Sequence, residues 1–582
     1  MSDKRKAFEA IVAKLKKLLP HLGDENTNEA GAALQKINSL LHAAKLDWHD
    51  LLALMSEQKE GSVFSDLLRR LSEKDADVLV RLGRAGATFF CSAAGEAFAD
   101  VAIGRSRITW PLSSSEFSEW LLHQFYIDAD RRKAPVAAAV NSAVRTLRAH
   151  ARFEGGRHEV HLRTAAVGDK IYVDVGDAEW HVIEISPNDW RVVKDAPVRF
   201  RRTTGMAALP LPQRGGSINR LRPFVNFTGA DFVIYVSALV DALRPGAPHP
   251  VIYFAGDEGS TKSTAEKIML SLVDPSDFPL RTLPGTVREL FVNANGAQML
   301  GFDNVSSISP AISDALCQIA TGSGIAMRKL FTDSDLVLIG GSRSVVLSGL
   351  LNVISRSDLA DRAVIMLLPV LVPENRRAEA EFWRAFNAER PAIFGALLDI
   401  VAYGLSRLPQ TRLQRLPRMA DFAVWATACE GAFAEPGAFL AAFDAHAAEA
   451  IDVVIENDPV AIAIAAFMHG RLAWAGTATE LLCELSRRDH AEAQPSTWKS
   501  WPKDPAEFGK AVRRVKGALR KVGIEVTIGR APDRMRTRMV EIRRIEPQPS
   551  QTDVAGVADG TDGTDSADNS RAIAKVIPIR GS

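Results

Sequence analysis

A short segment in the middle of the chain combines glycine, lysine and hydroxyl residues in an order suited to binding phosphate. It runs Gly256, Asp257, Glu258, Gly259, Ser260, Thr261, Lys262, Ser263, Thr264. Backbone N–H groups of such a loop can point at phosphate oxygens, and the dipole of a following helix adds to the attraction. We expect Lys262 to contact the terminal phosphates and the Ser263 hydroxyl to bind Mg²⁺. The segment therefore predicts ATP and Mg²⁺ as ligands.

One position departs from the usual GxxxxGK[ST] spacing, because Thr261 replaces the glycine before the lysine. A β-branched residue there restricts the backbone angles and can crowd the phosphate. ATP binding is the expectation from this motif, and hydrolysis is a separate question.

A second apolar run ends in a candidate acid about forty residues later. Residues 297–303 lead to Asp303, which we expect to hold the Mg²⁺-bound water, and Asn304 follows it. Many related sites carry a second carboxylate at the place of Asn304. An amide can orient a water but cannot accept its proton, so hydrolysis is slow or another group acts as base. Glu258 is one candidate for that base, and a solvated loop residue is the alternative.

Two further apolar runs follow, at residues 344–348 and 363–368. Ser348 ends the first and occupies the place of a polar residue that senses the γ-phosphate. Arg362 precedes the second, where ATPases of this kind often project an arginine into a neighbouring subunit's site to offset transition-state charge. A salt bridge to Asp358 or Asp361 is the alternative role for Arg362, and Arg356 competes with it for the catalytic role.

These chemical groups need a parallel sheet to bring them together. The run 251–254 predicts a buried strand before the glycine-rich segment, and residues 262–272 predict a helix after it. Strands at 297–303, 344–348 and 363–368 would complete the core, which we place at residues 216–400.

The order of these motifs resembles the superfamily 3 helicases and phage primase-helicases, a branch of the AAA+ ATPases. Residues from about 100 to 545 are also similar to ATP-binding proteins of bacterial mobile elements and prophages. The segments that carry this likeness are RVVKDAPVRFRR, AGDEGSTKST, LGFDNVSSI and RLPRMADFAVWA. The resemblance implies a ring-forming ATPase, and a β-hairpin before the sensor strand that carries basic residues to DNA. Residues 326–339 alternate and turn like such a hairpin, which makes Arg328 and Lys329 candidate DNA contacts; its acidic tip, with Asp333 and Asp335, departs from that pattern.

The end of the chain has a local excess of positive charge. Between Lys499 and Ile545 there are 14 Lys and Arg against 5 Asp and Glu. The pattern predicts helices at 477–487 and 504–522 and strands at 524–528 and 538–545, an order typical of a winged helix. Concentrated charge on helix and wing favours phosphate contact, with a solubilising face or an acidic partner as alternatives. The candidate DNA contacts are Lys510, Arg513, Arg514, Arg520, Arg534 and Arg536.

Composition limits the remaining possibilities. The chain has 582 residues, of which 47% are hydrophobic and 24% charged, with a net charge of +1. Several globular domains fit this length, and no global field favours nucleic acid. Four separated cysteines predict buried thiols, with neither zinc site nor disulfide framework. No apolar stretch reaches about 18 residues, so we expect no membrane span and a cytoplasmic location.

The sequence therefore predicts a multidomain α/β and α+β fold. Its parts are a helical hairpin (1–57), mixed helices and then a small antiparallel β-sheet (60–212), an AAA+-like core with a P-loop (216–400), a helical connector with a winged-helix-like domain (401–545), and a disordered tail (546–582). A primase activity is not supported, because no convincing acidic metal triad occurs in the first half, although spaced aspartates such as Asp174 and Asp177 leave that alternative open.

The expected function is an ATP-hydrolysing, helicase-like motor or replication factor of a prophage or mobile element. It would form a homo-oligomeric ring on single-stranded or forked DNA. The first alternative is a DNA-bound nucleotide switch with little turnover, which Thr261, Asn304 and the acidic hairpin tip favour. The second is an assembly or defence protein that uses the ring without unwinding.

Overall fold

The computed structural model describes residues 2–18, 27–50, 74–104, 106–128, 133–227, 229–323, 325–328, 336–339, 341–350, 353–354, 356–486, 501–530 and 538–545. The chain divides into two compact units, residues 1–450 and residues 451–582. Both combine helices with sheets, which agrees with the predicted mixed fold class. The predicted tail lies outside the described residues, and the predicted domain limits remain predictions.

The first unit begins with two packed helices, α1 (Ser2–Leu18) and α2 (Thr27–Ala43). They bury Phe8 and Leu15 against Ile37 and Leu41. These residues recur at helical spacing, so burial of one apolar face is what stabilises the pair.

The next segment contains a sheet that the sequence analysis missed. Its elements are α3 (Asp75–Gly86), β1 (Ala87–Cys91), β2 (Ala97–Ile103), β3 (Ser106–Pro111), α4 (Ser115–Asp128), α5 (Ala137–Phe153) and β4 (Gly156–Arg157). The sheet order is β3-β2-β1-β4. The prediction of helices alone is wrong here, because β1 and β2 bury continuous runs of residues and a continuous apolar run does not distinguish strand from helix.

A small antiparallel sheet follows, as the alternation of apolar residues predicts. It consists of β5 (Thr164–Val167), β6 (Lys170–Asp174), β7 (Val182–Ser186) and β8 (Asp189–Val193), paired in chain order. The turns between them use positive φ angles at Gly168 and Asn188. The apolar alternation in the sequence already begins at Val160 and Leu162, but the first strand of this sheet begins at Thr164.

One buried arginine, Arg163, attaches this small sheet to the segment that follows the helix Lys262–Val273. Arg163 is 0% exposed and pairs with Asp274 at 2.9 Å. It also donates to backbone carbonyls of four residues on both sides of the junction: Asp174, Val175, Ala207 and Pro275. Every donor direction is therefore satisfied, which is the condition for burying a charged side chain.

The core of the first unit is a four-stranded parallel sheet. Its strands are β9 (Val251–Ala255), β10 (Met299–Val305), β13 (Ser344–Gly349) and β14 (Ala363–Leu367), in the order β10-β13-β9-β14. The connecting helices are α7 (Lys262–Val273), α8 (Val287–Gly296), α9 (Pro310–Thr321) and the short α10 (Ser357–Ala360). Strands β11 (Ile325–Arg328) and β12 (Leu336–Ile339) form a separate antiparallel hairpin between α9 and β13. Because all four core strands run in parallel, their carboxyl ends lie at one edge of the sheet.

Apolar helices cover this sheet. They are α6 (Gly229–Ala242), α11 (Glu379–Arg407), α12 (Ala420–Glu430) and α13 (Ala438–Asn457). Residues of α6, α11 and α12 share one core with β9 and β14. Among the described helices, α11 with its 3-10 extension (Glu379–Gln410) is long and apolar enough to cross a membrane. Its most apolar stretch of 18 residues is 61% buried within the protein. Burial of this kind is found in core helices of globular folds.

The second unit is a three-stranded sheet packed on three helices. Its elements are α14 (Pro459–Phe467), β15 (Ala473–Thr477), α15 (Ala478–Leu485), α16 (Pro505–Lys521), β16 (Ile524–Arg530) and β17 (Arg538–Arg544), with sheet order β15-β17-β16. The two predicted helices and the two predicted strands are present. Strand β15 was not predicted, because only Gly476 of its five residues is buried and the strand depends on pairing with β17.

The cysteines differ from expectation in one case. Cys91, Cys317 and Cys429 are buried, as predicted, but Cys483 on α15 is exposed. Its side chain lies on the face of α15 opposite Leu481 and Leu485, which pack into the core of this unit.

Candidate functional site

The loop between β9 and α7, residues 256–261, is termed the glycine loop. Strand β9 is buried along its whole length, so the loop starts from a rigid element. Gly256 has a φ of 151° and Gly259 a φ of 80°. A Cβ on Gly256 would lie 2.6 Å from the backbone oxygen of Leu368, so only glycine fits this close approach.

Thr261 ends the glycine loop and precedes the first residue of α7. Its φ of 68° and ψ of 22° are left-handed, and its side chain makes no capping hydrogen bond. This conformation costs an L-residue about 1–2 kcal/mol and is unusual for a β-branched one. The backbone thus keeps the shape that the usual glycine would adopt, and the threonine bears the strain.

Lys262 folds back over the glycine loop. Its Nζ donates to the backbone oxygens of Gly256 at 2.8 Å and Asp257 at 2.7 Å, and lies 3.3 Å from Ser260 Oγ. These acceptors are uncharged, so the ammonium group lies beside backbone dipoles with no anion among these contacts. An incoming phosphate would offer a charge-assisted hydrogen bond instead.

Three polar side chains converge at the carboxyl ends of β10 and β13. Ser263 on α7 donates to Asp303 Oδ1 at 2.8 Å, and Ser348 on β13 donates to the same oxygen at 2.5 Å. The sheet order explains the meeting, because β13 lies between β9 and β10 and the glycine loop follows β9. Of the predicted site residues, Lys262, Ser263, Asp303 and Ser348 therefore lie at this one edge of the sheet.

Asn304 sits in a bulge of β10 and has a φ of 54°. The pairing of β10 with β13 shifts between Phe302 and Val305, and the Asn304 backbone N–H donates to Asp303 Oδ1 at 2.8 Å. Asparagine tolerates the left-handed region better than most residues, which gives a conformational reason for it here. Its exposed side chain is not among the groups that contact Asp303.

The other residues of the predicted segment differ in exposure. Asp257 and Glu258 are exposed, Ser260 is buried, and Thr264 is half-buried on α7. Ser260 is held by a hydrogen bond from its hydroxyl to the backbone oxygen of Asp257 at 2.8 Å. Glu258, the candidate base, thus projects from the loop toward solvent.

One acidic residue of the site was missed by sequence reasoning. Glu266 lies on α7, one turn after Ser263, and is 0% exposed. Burial raises the pKa of its carboxyl group to about 8; the negative charge of Asp303 adds to the rise, while Ser348 and the Phe302 backbone oppose it. The available signal was an acid on the apolar face of α7, flanked by the buried residues Ala265 and Met269.

Arg362 lies at the opposite edge of the core sheet. It directly precedes β14, and its backbone oxygen accepts from the N–H of Val251 at the start of β9. Five residues of strand separate that point from the glycine loop, or roughly 16 Å. Its guanidinium donates to the backbone oxygen of Asp358 at 2.8 Å, while Arg356 pairs with Asp314 at 2.8 Å. Neither arginine is brought to this chain's own site.

The predicted hairpin is present as β11 and β12, with Arg328 paired opposite Leu336. Lys329 and the acidic tip lie outside the described residues. Their assignment as DNA contacts remains a prediction.

Helix α16 presents a charged face in the second unit. Phe508, Val512, Val515 and Leu519 form its buried side, and the candidates Lys510, Arg513, Arg514 and Arg520 are all exposed. Arg534 and Arg536 lie outside the described residues.

Arg514 differs from its neighbours on α16. It pairs with Asp458, which is 6% exposed, through Nε at 3.1 Å and Nη2 at 2.5 Å. The other oxygen of Asp458 accepts from the N–H groups of Val460 and Ala461 at the start of α14. Arg514 therefore has a structural partner, which competes with the predicted DNA contact.

Two other features offer ligand-binding groups in the first unit. Asp177, Glu179 and His181 place their ligand atoms within 4.8 Å of one another, close enough for a metal ion. His181 Nδ1 already lies 2.5 Å from Asp177. A cavity of about 420 Å³ is lined by Asn188, Ser217, Asp399 and Tyr403. Two of its polar groups are engaged within the fold, since Asp399 accepts from Trp190 Nε1 and the Ser217 hydroxyl accepts from the Asn219 N–H.

The family comparisons identify the chain's relatives. Residues 218–452 match the model of the actinomycete integrative conjugative element replication protein, and residues 460–554 match the model of its C-terminal domain. Together these matches span more than half of the chain. The search among curated proteins found no match.

Two solved structures are similar to the chain at low sequence identity. SCCmec type IV Cch, described as an active helicase, is 12% identical with a TM-score of 0.41, covering 79% of this chain and 94% of that one. The apo C-terminal region of NrS-1 is 9% identical with a TM-score of 0.36, covering 82% of this chain and 100% of that one. On the two family matches, the chain belongs to the replication proteins of actinomycete integrative conjugative elements.

Proposed function

We propose that this replication protein binds and hydrolyses ATP with Mg²⁺ and uses the energy for helicase-like work on DNA. The observation that carries the proposal is the convergence of Ser263, Asp303 and Ser348 beside the glycine loop. A crevice at the carboxyl ends of parallel strands is where open α/β sheets bind their ligands.

Each residue of the site has a specific role in this proposal. Lys262 would exchange the loop carbonyls for the terminal phosphates, and the start of α7 would add backbone N–H groups. Ser263 and Asp303 carry the oxygen ligands that Mg²⁺ prefers. When bound, the cation would neutralise charge on the phosphates during their transfer. Ser348 would orient Asp303, and Glu258 is the candidate acceptor of the water proton.

DNA binding is proposed for the second unit. Its order of helices and three-stranded sheet fits a winged helix, with α16 as the recognition helix. Lys510 and Arg513 are exposed there and make no ion pair among the described residues. Exposed cations of this kind contact phosphates and make binding depend on salt.

A ring of several copies is proposed because Arg362 lies far from this chain's own glycine loop. From a second copy, the same arginine could reach the site and stabilise charge during phosphoryl transfer. The expected result is that Arg362→Ala protein binds ATP normally but hydrolyses it at least tenfold more slowly. Equal hydrolysis by the variant would remove Arg362 from the mechanism.

ATP binding is tested by equilibrium titration with a fluorescent ATP analogue. Lys262→Ala is expected to weaken binding at least tenfold. Lys267→Ala is the matched control, because Lys267 lies on the same helix and has only a distant ion pair to Glu379 at 3.9 Å. If both variants bind like the wild type, the glycine loop is not the nucleotide site.

A DNA-bound nucleotide switch is the second candidate function. It is favoured by the strain at Thr261 and by the absence of a carboxylate at Asn304. Strand displacement on a forked duplex separates the two candidates. The motor predicts ATP-dependent displacement that Lys262→Ala abolishes, whereas the switch predicts ATP-dependent DNA affinity without displacement.

A further inference from the structure

Glu266 is a buried acid that has no role in the proposed function. It is 0% exposed, and neither of its carboxylate oxygens completes a hydrogen bond of ordinary geometry among the described residues, although the Ser348 hydroxyl and the Phe302 backbone lie close enough to favour its ionised form. Buried carboxyl groups are almost always fully hydrogen-bonded, so this one points to an ion or ligand that completes its contacts.

The position of Glu266 relates it directly to the candidate cation site. Residues three apart share one face of a helix, so Glu266 lies on the same side of α7 as Ser263. Asp303 and Ser348 are the polar groups that act on its carboxyl group. These four side chains come from α7, β10 and β13, at the edge where the glycine loop begins.

Strand β10 leaves space for the Glu266 carboxyl group, because residue 301 of this strand is a glycine. A Cβ on Gly301 of β10 would lie 2.9 Å from Glu266 Oε1 and closer still to Leu270 Cδ1. Glycine at this position therefore allows the acid to approach β10 beneath Asp303.

One of the two carboxylate oxygens of Asp303 is already in use as a hydrogen-bond acceptor. Its Oδ1 accepts from Ser263, Ser348 and the backbone N–H of Asn304. Sites for Mg²⁺ use one or two carboxylates together with substrate phosphates, and Asn304 cannot supply the second one. Glu266 is a nearby buried acid whose oxygens complete no hydrogen bond of ordinary geometry among the described residues.

We propose that Glu266 supplies the second carboxylate of the divalent-cation site, in place of the acid absent at position 304. This inference rests on the proposed function, because the site is the one at which ATP would bind. The competing explanation is a neutral acid that only fills space in the core.

The test measures cation affinity directly in the full-length protein. Mn²⁺ is titrated by electron paramagnetic resonance in the presence of a non-hydrolysable ATP analogue. Glu266→Gln keeps the shape of the side chain and is expected to weaken Mn²⁺ binding at least tenfold. Affinity for the analogue in the presence of EDTA should not change. Glu266→Asp keeps the charge and should retain more Mn²⁺ affinity than Glu266→Gln.

Two reference variants make the result decisive. Asp303→Asn should also weaken Mn²⁺ binding, whereas Glu289→Gln, at an exposed acid of α8 with no role in the site, should not. Wild-type affinity in Glu266→Gln, with weakened binding in Asp303→Asn, would overturn the inference and leave the proposed function intact. Failure of the wild type to bind the analogue or Mn²⁺ would overturn both.

Discussion

Thr261 is a β-branched residue at a position where the glycine loop requires a left-handed backbone. Its left-handed angles suit glycine, yet glycine also makes the unfolded chain more flexible. Relief of about 1–2 kcal/mol of strain should exceed the entropy cost of about 0.5–1 kcal/mol.

We therefore expect Thr261→Gly to raise the free energy of unfolding by about 0.5–1 kcal/mol. Urea denaturation measures this change. Thr264→Gly is the matched control, because Thr264 lies inside α7 and should lose stability when replaced by glycine. A loss of stability in both variants would show that Thr261 is not strained.

The raised pKa of the Glu266 carboxyl group should make the free energy of unfolding depend on pH. The pKa of its carboxyl group is about 8 in the folded protein against 4.5 for an ordinary glutamate. Between these values the folded protein keeps a proton that the unfolded chain has lost. The contribution of this group to stability therefore falls as pH rises from about 4.5 to about 8, and it is constant above that range.

Replacing Glu266 by glutamine removes this contribution. The unfolding free energy of Glu266→Gln relative to wild type should increase with pH, by up to about 1.4 kcal/mol per pH unit. Urea denaturation between about pH 5.5 and about pH 7.5, without divalent cations, measures the difference. A difference that stays constant over this range would mean that the carboxyl group has an ordinary pKa.

At the scale of elements, the contact between α7 and β10 depends on Gly301. A side chain there would press on Glu266 and Leu270, and the backbone oxygen of Pro279 lies 3.1 Å from the added Cβ. Overpacking of a core usually costs about 1–3 kcal/mol.

Gly301→Ala should lower the free energy of unfolding by about that amount, about 1–3 kcal/mol. Gly296→Ala serves as the control, because an added Cβ at Gly296 meets no atom within 4 Å. Thermal denaturation of both variants compares the two positions. Equal stability of the two would show that α7 and β10 are not closely packed at Gly301.

Helix α16 carries two neighbouring exposed arginines, of which Arg514 pairs with Asp458 and Arg513 makes no ion pair among the described residues. Removing Arg514 would leave the buried Asp458 carboxylate with only its backbone donors, which destabilises the second unit. Because the Arg514 side chain is 44% exposed, we expect a modest loss of about 1–2 kcal/mol. Arg513→Ala should leave stability unchanged and weaken DNA binding.

Thermal denaturation and DNA titration at two salt concentrations separate these effects. The salt dependence of binding should decrease for Arg513→Ala because one phosphate contact is lost. If Arg513→Ala instead destabilises the unit and binds DNA normally, its assignment as a DNA contact is wrong.

The sequence was sufficient to predict elements whose signals are local. The predicted helices of the second unit begin at local capping signals, the Thr477–Glu480 capping box of α15 and the Asp504 cap of α16. Strand β15 could not be predicted, since it buries only one of its five residues and forms through pairing with β17. Glu266 was missed and the ion pair of Arg514 was not predicted for a similar reason, because the burial of one and the partner of the other depend on distant parts of the chain.

At the scale of the whole molecule, membership in a family of replication proteins agrees with the nucleotide site that we propose in one unit and with the basic helix of the other. The core sheet brings four of the predicted catalytic and metal-binding residues to one edge, and leaves Arg362 at the opposite edge. The central claim is that this edge hydrolyses ATP in response to DNA.

Steady-state ATP hydrolysis, with and without single-stranded DNA, tests this claim most directly. We predict turnover that DNA stimulates, that Lys262→Ala abolishes and that Lys267→Ala leaves unchanged. ATP binding without turnover, with or without DNA, would contradict the motor and leave a nucleotide-controlled DNA-binding protein.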